Sequence, residues 1–143
     1  MKLRHFAIVC NEIDQMEKFY KNFGFSDLSN NKEVGKYINT LTGLNDVTLY
    51  WKKYINDKND ILELIKYERF NLGKKNYKQK VFKKGFSHVA FTVENINYTV
   101  EILVKNGGTL VSDPLKSNDG KVYVCYAYDI EGNLIELVEE INK

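Results

Sequence analysis

Apolar and polar positions run through the same cycle twice along this chain. Residues 3–10, LRHFAIVC, are rich in branched and aromatic side chains, which predicts a strand. Ile13, Met16, Phe19, Tyr20 and Phe23 follow at three- and four-residue spacing, which predicts a helix with one apolar face. Gly24 stands where a helix C-terminus favours glycine. Three shorter runs, near 35–41, 46–54 and 60–67, are expected to be strands, with Asn45-Asp46 supplying turn chemistry between two of them. From residue 86 the order recurs. A strand is expected over 86–93, a helix on Ile96, Val100, Leu103 and Val104 ending near Gly107, and strands near 109–112, 121–128 and 133–139.

The recurrence extends to individual residues. LRHFAIVCNEIDQMEKFYKNFGF lies over FSHVAFTVENINYTVEILVKNGG without a gap, at an offset of 88 − 5 = 83 residues. His5 then meets His88, Ala7 meets Ala90 and Gly24 meets Gly107. Further on, DILELI lies over NLIELV at an offset of 136 − 63 = 73, so that Glu63 meets Glu136. The first copy carries ten more residues between its glycine and its glutamate. A repeat of this kind marks a duplicated structural unit. The fold expected is a single α+β domain over residues 1–143, built of two βαβββ modules, 1–67 and 86–143, with a linker over 68–85. Paired side by side, the modules would form a curved eight-stranded mixed sheet around a shared hollow, with the helices outside.

Strand periodicity assigns the faces. His5, Ala7 and Val9 share one side, opposite Phe6, Ile8 and Cys10. His88, Ala90 and Thr92 oppose Val89, Phe91 and Val93. Glu63 alternates with Leu62 and Leu64, and Glu136 with Ile135 and Leu137. All four ionisable residues can therefore face the hollow together.

Composition narrows the function classes. Of 143 residues 43% are hydrophobic, enough for a core, and the net charge of +2 selects no partner. No run approaches the roughly 18 apolar residues of a membrane span. The segment MKLRHFAIVC breaks too early into NEIDQ for a secretory signal, so a cytoplasmic protein is the expectation. Lys74, Lys75, Lys78, Lys80, Lys83 and Lys84 crowd the linker. They read as a solvated connector before an anion site, and the patch is too short and too poor in aromatics for nucleic acid. Cys10 and Cys125 lie in apolar runs without paired spacing, as reduced core residues do.

The two glutamates carry the chemistry. A carboxylate among apolar strand neighbours costs several kcal/mol in desolvation unless a charge compensates it. The chain has two histidines, and they occupy equivalent places in the two copies, as the glutamates do. One divalent cation held by His5, Glu63, His88 and Glu136 explains all four together. Such a nitrogen–oxygen set suits Zn, Ni, Co, Mn or Fe(II). Trp51, or alternatively Tyr50 and Tyr54, would form a substrate wall. Thr92 and Tyr126 are further substrate-side candidates.

With LRHFAIV, FYKNFGF, ILELI, GFSHVAFTV and YDIEGNLIELVE in place, the chain resembles the vicinal-oxygen-chelate superfamily of glyoxalases, bleomycin resistance proteins and extradiol dioxygenases over nearly its full length. Ile130 departs from it, standing where that family's turn usually has proline. The resemblance implies metal ligands on the first and last strands of each module, which are His5, Glu63, His88 and Glu136 here. It implies a glyoxalase-type lyase or isomerase that stabilises an enediolate of a substrate with neighbouring oxygens, with Glu136 or Glu63 moving the proton. An Fe(II)-type dioxygenase, a thiol transferase and a non-enzymatic drug-binding resistance protein are the alternatives. A homodimer acting on a small molecule, such as an anionic thiol conjugate, is the assembly the resemblance implies.

Overall fold

The computed structural model describes residues 1–70, 72–73 and 77–141. Lys74 and Lys75 of the basic linker lie outside the described residues. The chain divides into two compact units, Met1–Lys74 and Lys75–Lys143.

In the first unit the chain runs β1 (Phe6–Val9), α1 (Ile13–Lys21), β2 (Ser26–Val34), α2 (Lys36–Thr42), β3 (Thr48–Ile55) and β4 (Ile61–Tyr67). Its sheet has the order β1-β4-β3-β2, with β1 parallel to β4 and the other pairs antiparallel. Alternation in β4 divides the unit into two faces. Leu62 and Leu64 point to α1 and are fully buried, together with Met16, Phe19 and Tyr20 of that helix. Each such side chain contributes about 1.5–3 kcal/mol by leaving water. Glu63 points to the other face.

The second unit runs β5 (Val89–Thr92), α3 (Ile96–Lys105), β6 (Thr109–Leu110), β7 (Leu115–Lys116), β8 (Val122–Tyr128) and β9 (Leu134–Glu140). β5 is parallel to β9, and β8 pairs antiparallel with β9, β6 and β7. Leu103 of α3 is buried with Cys125, Ala127, Ile135 and Leu137. Asn95 caps α3 by accepting from the Tyr98 amide at 2.9 Å, and Glu139 accepts from the Ile96 amide at 2.7 Å. Such caps satisfy amides that have no partner inside the helix.

The duplication is exact in register. Phe6 pairs with Leu62 and Val89 with Ile135, which are the same pair under the two offsets. Both cysteines are buried, as expected, and neither is in a disulfide. Among the described residues no helix is long and apolar enough to cross a membrane.

One expected strand is corrected. Residues 35–41 begin the helix α2, and the strand that precedes β3 is β2, over Ser26–Val34. β2 is almost wholly exposed and polar, SDLSNNKEV, so its sequence carries no apolar alternation. Its extended form comes from pairing with β3, from Ser26 opposite Ile55 to Val34 opposite Thr48. α2 lies between Gly35 and Gly43 and is anchored by Ile38, which packs with Val47 and Leu49. The short β7 brings the described strands to nine, one beyond the eight expected.

A charge network ties α1 to the sheet. The Lys52 ammonium meets Glu17 at 2.6 Å and Asp14 at 2.8 Å, and Lys21 meets Glu17 at 2.7 Å. Burial alone would raise the Glu17 carboxyl, but the bonds from Lys21 and Lys52 hold it at about 2, below its ordinary 4.5. Its contribution to stability is therefore complete above about pH 4.5 and is lost as pH falls toward 2. Lys52→Met should cost about 1 kcal/mol at neutral pH. Urea melts at pH 7 and pH 2.5 should show that deficit shrinking at the lower pH.

Candidate metal centre

The parallel pairing of β1 with β4 sets Ala7 directly opposite Glu63. His5, two residues before Ala7, projects from the same face as Glu63. The His5 Nε2 atom lies 2.9 Å from Glu63 Oε2. Glu63 is buried, 9% exposed, so this is a carboxylate largely stripped of water. Lys53, opposite Glu63 across β3, brings its ammonium to 3.4 Å from Oε1.

The second unit repeats the arrangement. Ala90 stands opposite Glu136, and His88 Nε2 lies 3.1 Å from Glu136 Oε2. Tyr126 takes the position that Lys53 has in the first unit, and its ring centroid is 5.1 Å from that of His88. Ser87 Oγ lies 3.0 Å from His88 Nδ1. The segment before His88 is strapped down by Gln79. Its side-chain amide donates to the carbonyls of Phe86 and Ser87, its own amide donates to Gly132 O at 2.9 Å, and its carbonyl accepts from the Tyr128 hydroxyl at 3.0 Å. Gly132, at φ +83°, has the Tyr77 carbonyl packed where a Cβ would stand, so only glycine allows this approach.

Each unit thus brings one imidazole nitrogen against one carboxylate oxygen. Among the described residues, no group of three or more His, Cys, Asp or Glu side chains gathers as a metal cage. The donor chemistry nevertheless fits a divalent ion: each histidine offers Nε2 and each glutamate a neighbouring Oε2, all on equivalent sheet faces.

On the His5 face, the first unit holds a cleft of about 570 Å³ between the sheet and α2. Trp51 lines this cleft. Tyr50 and Tyr54 are not among its lining residues. Tyr54 is buried, and paired opposite Leu62 it points to the α1 side. Tyr50 donates to Glu68 at 2.7 Å. Lys53 and the α2 residues Tyr37, Ile38 and Leu41 also line the cleft and were not singled out. The signal for Lys53 was available, since the offset of 73 aligns it with Tyr126. Thr92 is exposed at the end of β5, opposite Val138.

Residues 2–137 match the Glyoxalase/Bleomycin resistance protein/Dioxygenase superfamily. The chain belongs to this superfamily. A probable lactoylglutathione lyase of Synechocystis sp. (strain ATCC 27184 / PCC 6803 / Kazusa) is 26% identical over 148 residues, covering 100% of this chain and 98% of that protein. The crystal structure of a glyoxalase family protein from Bacillus cereus superposes with a TM-score of 0.89 at 24% identity, covering 99% and 95% of the two chains. A genomically encoded fosfomycin resistance protein from Listeria monocytogenes gives 0.66 at 12% identity, covering 99% and 95%. These structures share the fold.

Because Gln79 fixes the approach to His88, Gln79→Ala should lower stability by about 1–2 kcal/mol. It should also broaden the ring resonances of His88 in proton NMR spectra while leaving those of His5 sharp, a distinction made simple by there being two histidines.

Proposed function

We propose that this superfamily member is a divalent-metal-dependent lyase or isomerase of the glyoxalase type, with one ion held by His5, Glu63, His88 and Glu136. The observation that carries the reading is the equivalence of the two pairs. In each unit a histidine Nε2 meets a glutamate Oε2, at 2.9 and 3.1 Å, from strands in the same register. Two unrelated structural pairs would have no reason to coincide under the duplication.

An ion bound there supplies Lewis-acid chemistry, drawing charge from a substrate carbonyl and easing removal of the proton on the adjacent carbon. The chain's own residues do the rest. A carboxylate oxygen of Glu136 or Glu63 takes that proton and returns it to the neighbouring carbon. The cleft between the sheet and α2 receives the apolar part of the substrate, against Trp51, Leu41 and Leu44. Tyr126, beside His88, and Thr92 contact the polar part. The substrate is a small molecule with neighbouring oxygens, an anionic thiol conjugate being one such class. The working form is a cytoplasmic homodimer, without nucleic-acid or membrane partners. The 26% identity to a probable lactoylglutathione lyase supports the reaction class.

One observation favours a second reading. Lys53 already offers Glu63 a cation at 3.4 Å. If that pair persisted, His5, His88 and Glu136 would be a three-ligand set, as a dioxygenase or thiol transferase of the superfamily would use.

Metal analysis separates these readings. Wild-type protein should bind one Zn, Ni, Co, Mn or Fe ion per site after reconstitution, and His88→Ala should weaken binding at least about tenfold. A Glu63→Ala protein with undiminished affinity would support the three-ligand alternative. Turnover of methylglyoxal with a thiol is expected, and oxygen-dependent cleavage of catechols is not. A wild-type protein that takes up no divalent ion would sink the proposal.

A further inference from the structure

We propose that Lys53 is a positioning residue that competes with the metal ion for Glu63, which makes Glu63 the exchangeable ligand of the set. This rests on the four-residue centre proposed above.

The backbone places Lys53 there. It stands directly opposite Glu63 in the β3–β4 register, so the two side chains leave the sheet on the same face. Its Nζ is 3.4 Å from Glu63 Oε1, while His5 Nε2 is 2.9 Å from Oε2. Both carboxylate oxygens therefore have a partner within the chain itself. Both side chains are largely sheltered, at 23% and 11% exposed, so salt and water screen the pair less than a surface ion pair.

A cation fixed beside a ligand acts twice on a metal ion. It repels the approaching divalent charge, and it stabilises the carboxylate in the detached position. Lys53 also has a second resting place. Its Nζ lies 4.5 Å from the centre of the Trp51 ring, which attracts an ammonium through its π face. When an ion draws the carboxylate away, the ammonium keeps that partner. Beside Glu136 the equivalent position is held by the neutral Tyr126. The duplicated centre is therefore symmetric in its ligands and asymmetric in what surrounds them. One glutamate is tethered to a cation and released easily, and the other is not.

Calorimetric titration of the tag-free protein of residues 1–143 with Zn²⁺ tests this. Lys53→Met keeps the length of the side chain and removes its charge, and should bind Zn²⁺ about tenfold more tightly than wild type. Lys53→Gln should do the same, and Lys53→Arg, which keeps the charge, should stay near wild type. Trp51 is the one tryptophan of the chain, so its emission reports on the ammonium beside it. Zn²⁺ should shift that emission in wild type and leave it nearly unchanged in Lys53→Met. Circular dichroism establishes that each variant is folded. Neutral variants that bind Zn²⁺ no more tightly than wild type, while His88→Ala still weakens binding, overturn the role of Lys53 alone. Absence of Zn²⁺ binding in wild type and all variants overturns the four-residue centre and the role of Lys53 together.

Discussion

Parallel pairing between the first and last strands of each unit is the constraint on which the rest of this protein depends. Ala7 opposite Glu63 and Ala90 opposite Glu136 place each histidine, two residues earlier, beside a glutamate. A slip of one residue would turn Glu63 into the α1-facing core, where Leu62 and Leu64 are fully buried, and would expose those leucines. Burying an unpaired carboxylate there would cost several kcal/mol. The same alternation thus builds the core and presents the site, and neither can shift without the other.

On that shared frame the two units have diverged at the positions flanking their His–Glu pairs. Lys53 and Trp51 beside Glu63 correspond to Tyr126 and Val124 beside Glu136. The first unit adds α2, which closes over its sheet and forms one wall of a cleft. The second unit places the short β7 against β8 instead. The His–Glu pairs are kept equal between the units, and the positions that flank them differ.

Much of the fold was legible because burial imposes periodicity. α1 and α3 must each hide one stripe, and β4 and β9 one face, so Met16, Phe19, Leu62, Leu103 and Leu137 announce themselves. The histidines and glutamates were legible through the repeat, since equivalence between copies is visible without any structure. β2 was not. An exposed edge strand buries nothing, and SDLSNNKEV is extended because β3 supplies its hydrogen bonds. Such polar edges also resist pairing with other chains. The stretch 35–41 has Tyr37, Ile38 and Leu41 at helical spacing, but only Ile38 is buried. One anchor in seven residues is too little signal to separate a helix from a strand.

By itself the sequence determined the duplication, the α+β class, the two apolar faces and the four residues of the candidate centre, because each follows from local periodicity or from identity between copies. Only the tertiary structure decided that Trp51 rather than Tyr50 or Tyr54 lines the cleft, that α2 forms a wall of it, and that Lys53 reaches Glu63. These depend on which residues stand opposite each other across β3 and β4. Such register is a contact between distant segments, and it comes into being when the sheet closes.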